Sequence, residues 1–281
     1  MATRQHRKPS TPKLEIVPQS HTSVGRTDIH GNVVYNRILL ALPDDEYDVL
    51  LPHLEFVELR LHQSLHEFPD GLEYGYFLNF GLTSLVIVTN DSRSVEVGIV
   101  GREGFVGTPI AAGLNRTPYG AVVQANGNGF RIKAEVLEVF LSSMLNLRLR
   151  LNQYAQIQGM QVAQLAACNR LHEIDQRLAR WLLMCQDRIV SDLLPMTHEF
   201  FAEMLGSGRP SVSLAAAVLQ RAGLIQYARG TVRIINRKGL EGAACECYGV
   251  DIYRLSALAS PRRSVFSEAG ILEIRYVLYR T

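Results

Sequence analysis

The chain has 281 residues, 47% apolar and 20% charged, with a formal net charge of +2. That length suits about two domains, and that apolar share supports a buried core and excludes wholesale disorder. No run approaches the roughly 18–20 apolar residues of a spanning helix, and the polar, basic start lacks a secretory leader's apolar segment, so a cytoplasmic protein with no membrane partner is expected.

Charge is unevenly spread. Residues 1–13 carry Arg4, Arg7, Lys8 and Lys13 and no acid. The body from 14 to 195 is acidic, with 14 basic and 20 acidic groups. Residues 196–240 carry six basic groups (Arg209, Arg221, Arg229, Arg233, Arg237 and Lys238) against Glu199 and Glu203. A basic module on a mildly acidic body suits a protein that presents one region to a polyanion.

Residues 1–33, rich in Pro, Ser, Thr, His and Gly, read as a disordered basic arm. A short helical stretch follows from Asn36 to Leu54, with Asp44-Asp45-Glu46 supplying an acidic first turn. Six short β-rich runs come next: Phe56–Leu61, Gly75–Phe80, Ser84–Thr89, Val95–Val100, Gly120–Gln124 and Gly129–Ile132. Turn residues separate them, which predicts a jelly-roll barrel within a 34–143 domain.

From Ala134 to about Val190 the pattern is helical, with a break expected near Asn169. Leu145, Leu149, Asn152, Gln156, Gly159, Ala163 and Ala166 recur at spacings of 3 and 4. This stripe over 144–172 reads as a dimerisation seam, or as a face packed on the chain's own β domain.

The strongest signal lies within 173–249. Thr197 caps a helix starting at His198, Gly206-Ser207-Gly208 makes a tight break, and Pro210 suits the first turn of a second helix ending at Ala222-Gly223. Leu224–Tyr227 and Thr231–Ile235 then read as a hairpin with a basic turn. Helix, turn, helix and hairpin make a winged helix-turn-helix. Its second helix suits the major groove of double-stranded DNA. Thr197, Arg209, Ser211, Ser213, Arg229 and Arg233 are the expected DNA contacts. A winged helix can also dock a protein, and that alternative stands.

The order β-roll, long helix, winged helix resembles the Crp/Fnr family of bacterial transcription regulators over roughly residues 36–245. The pieces that carry it are Thr197 to Ser213, Leu219 to Ile225, and Val95 to Gly107 with its Gly104-Phe105-Val106-Gly107 turn. The resemblance implies an α+β chain: a cyclic-nucleotide-binding-like β-roll, a dimerisation helix and a winged helix that reads DNA near Arg209. It also implies a homodimer, with RNA polymerase as a further partner. Two departures bear on the target: Pro210 stands where the family commonly has Glu, and Leu214 where it has Arg.

In nucleotide-binding members a Glu follows the cassette Gly; here Thr108 follows Gly107. Arg116-Thr117 matches the phosphate-gripping pair only with a shortened loop, and Gln158-Gly159 stand where base-contacting hydroxyls would be. Gly107, Thr108, Arg116 and Thr117 are therefore the candidate effector pocket, with cAMP and cGMP disfavoured by two missing polar contacts. A cyclic-nucleotide-dependent DNA binder is a further alternative. The effector is left unknown.

No cysteine precedes Cys168, which argues against the family's iron–sulfur cluster. Cys245-Glu246-Cys247 is too close for a typical metal pair, so the cysteines read as structural or incidental and no metal site is expected. His53, His62 and His66 are too scattered for haem ligands. No P-loop, H-E-x-x-H, G-x-S-x-G or G-x-G-x-x-G motif is present, so the chain does not read as an enzyme. Residues 250–281 are a C-terminal extension without an assigned role.

Overall fold

The computed structural model describes residues 25–91, 93–189, 191–228 and 230–251. The expected role of the basic start therefore lies outside the described residues up to position 24, and so does the extension beyond 251. Residues 25–33 depart from the expected arm. A Thr27–Val33 bridge closes a small turn, and Asp28 accepts the backbone N–H groups of His30 and Asn32. Arg26 donates to the carbonyls of Leu39 and Leu42 and to Asp44. A planar cation with five donors anchors what composition alone reads as tail.

Helices α1 (Arg37–Leu40) and α2 (Asp44–Leu50) lead into the β domain. Asn36 is fully buried. It caps α1 through the N–H groups of Ile38 and Leu39 and donates to the carbonyls of Leu78 and Gly104. The antiparallel sheet runs β1 (Glu55–Leu59), β6 (Gly120–Lys133), β3 (Tyr74–Val88), β4 (Ser94–Val100), with β2 (Ser64–His66) on β6 and β5 (Phe105–Val106) on β3.

Four of the expected runs are in fact two long strands. Gly75–Phe80 and Ser84–Thr89, save Thr89 itself, belong to β3, and Gly120–Gln124 and Gly129–Ile132 to β6. The glycine-rich joints are bulges, not turns. Register shifts cluster between Leu78 and Thr83, where Gly81 takes φ +92°. A Cβ on Gly127 would sit 2.0 Å from the Phe80 carbonyl oxygen, so glycine lets the paired strands bend together there.

Helix α3 (Ala134–Ser143) leads to α4 (Leu145–Leu171), and extended His172 separates α4 from α5 (Ile174–Ile189). The break falls a few residues after Asn169. α4 buries Leu147, Leu151, Tyr154 and Ile157 in the β-domain core. The stripe residues Leu145, Leu149, Asn152, Gln156, Gly159, Ala163 and Ala166 all lie on the opposite, exposed face. Packing of that stripe on the chain's own β domain is therefore excluded.

The C-terminal module contains α5, β7 (Leu193–Leu194), α6 (His198–Met204), α7 (Arg209–Arg221), β8 (Ile225–Ala228), β9 (Thr231–Ile234) and α8 (Arg237–Ala243). Its core is shared with the β domain. Leu82, Val86, Ile99 and Ala125 from β3, β4 and β6 pack in one cluster with Trp181, Phe201, Val212 and Leu219. α5 thus belongs to both halves. Its buried Arg188 pairs with buried Glu103 at 2.7 Å, and its Trp181 reaches β4.

The cysteines also depart from expectation. Read along the chain, Cys245 and Cys247 lack a second pair. The fold supplies it from the end of α4: Cys168, His172, Cys245 and Cys247 bring their ligand atoms within 4.8 Å of one another.

Candidate nucleic-acid interface

The helix-turn-helix is built from local signals. Thr197 Oγ1 accepts the N–H of Phe200 at 3.1 Å and caps α6. Gly206 takes φ +57°, which ends α6 and turns the chain toward α7. Pro210 occupies the first turn of α7, where its missing N–H removes no helical bond.

The two helices are locked by polar contacts as well as by Phe201, Met204 and Val212. His198 Nδ1 lies 3.1 Å from Ser213 Oγ, and its ring stacks on Tyr227 with centroids 4.0 Å apart. Burial, then the charge of Arg209, lowers the His198 pKa below the usual imidazole value, so the ring is neutral at neutral pH. Ser213 is thus half-buried and engaged within the protein. Gln220 Oε1 accepts the N–H of Tyr227 at 2.8 Å and ties the wing to α7.

The outward face of α7 carries Arg209, Ser211, Leu214, Val218 and Arg221. Leu214 is 63% exposed on that face. Arg209 lies 3.6 Å from Glu199, with both side chains largely in solvent. Such a pair is worth about 1 kcal/mol at most, so Arg209 is readily available to another anion. Arg233 points outward from β9. Arg229 lies outside the described residues. Arg237 is different: it bonds Gln186, Asp187, Tyr248 and Glu241, so its charge serves the module's interior.

The candidate effector residues do not share one environment. Gly107 is left-handed at φ +108° and precedes a short 3-10 turn, Thr108–Ala112. Buried Thr108 donates to Gln158 Oε1 of α4 at 2.8 Å. Arg116 is exposed on the following loop, and buried Thr117 accepts the N–H of Tyr119. The Thr108 hydroxyl and the Gln158 side-chain amide are thus bonded to each other.

Sequence reasoning missed Glu96. It is buried on β4, accepts from Ser84 Oγ at 2.5 Å and from Trp181 Nε1 at 2.7 Å, and burial pushes it up to about 7. An acid inside a β run looks exposed by default. The faint signal was the lone tryptophan of the chain, whose N–H needs a partner when buried.

A Crp-like helix-turn-helix domain family matches residues 176–243. Those bounds enclose most of α5, α6, α7, the wing and α8. The chain carries a Crp-like helix-turn-helix. Its fold agrees with solved structures that are 22% identical or less. A Crp/Fnr-family regulator from Eubacterium rectale superposes with TM-score 0.58 at 18% identity, covering 74% of this chain and 98% of its own. FixK2 from Bradyrhizobium japonicum gives TM-score 0.58 at 16% identity, over 68% and 98%. A CRP-family regulator from Thermus thermophilus gives 0.56 at 22% identity, over 67% and 96%. No curated protein matches the chain. A Crp-like helix-turn-helix is a DNA-binding module. Among the described residues, no helix is long and apolar enough to cross a membrane.

Proposed function

We propose that this regulator is a cytoplasmic homodimer that reads a two-fold symmetric operator through α7 of each subunit. The observation that carries this is the exposed α7 face. Arg209 and Ser211 sit at its N-terminal end, where free backbone N–H groups and the helix dipole also favour a phosphate. Ser213 acts by holding His198 rather than by reaching DNA. Leu214 faces outward one turn later, where an apolar side chain suits a thymine methyl group rather than a guanine edge. The operator should therefore be richer in A·T pairs at that position than one read by arginine. Thr197 holds the first helix in place, and Arg233 of the wing adds a phosphate contact.

The α4 stripe supports the dimer. It starts with exposed leucines and continues through Gly159, Ala163 and Ala166, which permit close backbone approach. Two subunits joined there would present their α7 helices to successive major grooves. The Thr108–Gln158 bond and exposed Arg116 argue against cAMP or cGMP as effector. The β domain then senses another signal through Gly107, Thr108, Arg116 and Thr117, or acts as a scaffold for the dimer and for RNA polymerase.

Selection of genomic fragments by the purified, ligand-free protein at near-physiological salt tests this reading. An enriched palindrome with half-sites about one helical turn apart is expected. Capture without a motif would defeat the sequence-specific, effector-independent form. A second reading rests on exposed Leu214 and Val218, which also suit a protein partner. Duplex binding unchanged by Arg209→Ala together with Arg229→Ala would favour that one.

A further inference from the structure

Cys168 and His172 are one helical turn apart at the end of α4, and so share a face. After α8 the chain turns back through extended Ala244 and lays Cys245 and Cys247 against that face. Cys168 Sγ lies 3.5 Å from Cys245 Sγ, and Cys247 Sγ lies 3.6 Å from His172 Nδ1. Zinc–sulfur and zinc–nitrogen bonds of about 2.3 and 2.0 Å set tetrahedral edges of about 3.5–3.8 Å. These two distances match those edges, and all four ligand atoms lie within 4.8 Å of one another. All three thiols are buried and free, in a cluster of their own apart from both apolar cores.

The surroundings match as well. Exposed Glu246, between the two cysteines, accepts His172 Nε2 at 3.2 Å and leaves Nδ1 toward the thiols. A carboxylate behind a ligating histidine orients the ring in this way. Gln164 Nε2 donates to Cys247 Sγ at 3.1 Å, a contact that suits a thiolate. Three thiolates, one neutral imidazole and a divalent ion carry one net negative charge. Buried Arg177 and Arg180 on α5 lie within electrostatic reach of Cys168; Arg180 is also paired with buried Asp251 at 2.9 Å, so Arg177 is the cation that offsets this charge. A disulfide would use two of the sulfurs and leave the third and the histidine without a role.

We propose that Cys168, His172, Cys245 and Cys247 bind one zinc ion per chain in a closed, tetrahedral structural site. The ion joins the last turn of the long helix to the C-terminal edge of the DNA-binding module, across the His172–Glu173 break between α4 and α5. It thereby holds the module at one angle to α4. Because the four ligands converge only in that arrangement, binding favours it over any in which the module swings away. The site stands independently of the operator reading.

The test is metal analysis of the full chain, with zinc and then cobalt as probes. The fully reduced wild-type protein should take up one zinc per chain in competition with a chromophoric chelator. Cobalt in its place should show the intense bands of a tetrahedral thiolate complex. Cys168→Ser and Cys247→Ser should lose stoichiometric zinc, and Glu246→Gln, which leaves all four ligands, should weaken it about 10–100-fold. The Glu246→Gln arm is readable even where a cysteine variant does not fold. No zinc uptake by the reduced wild-type chain would overturn the site. Equal zinc in wild type and the folded cysteine variants would do so too, as would a cobalt spectrum lacking thiolate bands.

Discussion

Trp181 Nε1 donates a 2.7 Å hydrogen bond to Glu96 Oε1, so the DNA-binding module is latched to the β domain by a buried neutral donor and a buried acid. Ser84 holds the other carboxylate oxygen, and Arg180 and Arg188 are the nearby cations. Burial outweighs these contacts and pushes Glu96 up to about 7 from an ordinary value of 4.5. The folded state therefore holds a proton that the unfolded chain releases between those values.

This predicts a pH dependence. Stability contributed by the protonated acid is fully present below about pH 4.5 and is lost as pH rises through about 7. The loss amounts to at most about 3 kcal/mol. Glu96→Gln keeps an acceptor for Trp181 and removes the titration. Across that window the melting temperature of the wild type should fall relative to that of the variant as pH rises. Parallel slopes in the two proteins would refute the assignment.

The proposed dimer seam predicts that Gly159→Leu separates subunits without harming the chain. A Cβ at Gly159 meets nothing within 4 Å inside the subunit, and replacing a helical glycine gains up to about 1 kcal/mol. Light scattering should show a monomer with an intact circular-dichroism spectrum. A dimer of unchanged affinity would move the seam elsewhere.

Arg209 and Arg237 should respond differently, although both lie in the basic module. Arg209→Ala should weaken duplex binding and flatten its salt slope by about one unit. Arg237→Ala should lower the melting temperature and leave that slope alone, because Arg237 is bound to Asp187, Gln186, Glu241 and Tyr248. Binding isotherms at three salt concentrations distinguish them.

The Arg188–Glu103 pair, 2.7 Å apart with both side chains about 95% buried, predicts a strong asymmetry. Arg188→Met alone strands a buried carboxylate and should cost about 3–5 kcal/mol. Adding Glu103→Leu should recover most of that loss in urea denaturation. Additive losses would mean that the two residues act separately.

Much of this architecture was written locally. Thr197, Gly206 and Pro210 act within a turn of their own positions, so the helix-turn-helix could be read from them. The α4 stripe was likewise visible as a spacing, though the spacing left open which way it faced. Arg209, Ser211 and Arg233, read from the chain as DNA contacts, lie exposed, whereas Ser213 is half-buried: its bond to His198 depends on how α6 crosses α7.

What only the tertiary structure decided involves residues far apart in the chain. Glu96 meets Trp181 85 residues on, and Cys168 meets Cys245 77 residues on. Periodicity and turn chemistry report on neighbours within a turn or a strand, and carry no information about which distant segments meet. That is set by the shared core that folds α5 back on the sheet, where burial of Leu82, Trp181 and Phe201 drives the packing and the polar pairs follow. The amino-acid order by itself determined the helix-turn-helix and the spacing of the α4 stripe. Only their packing decided that an acid would be buried at the latch and that four sulfur and nitrogen ligands would converge at the break between α4 and α5.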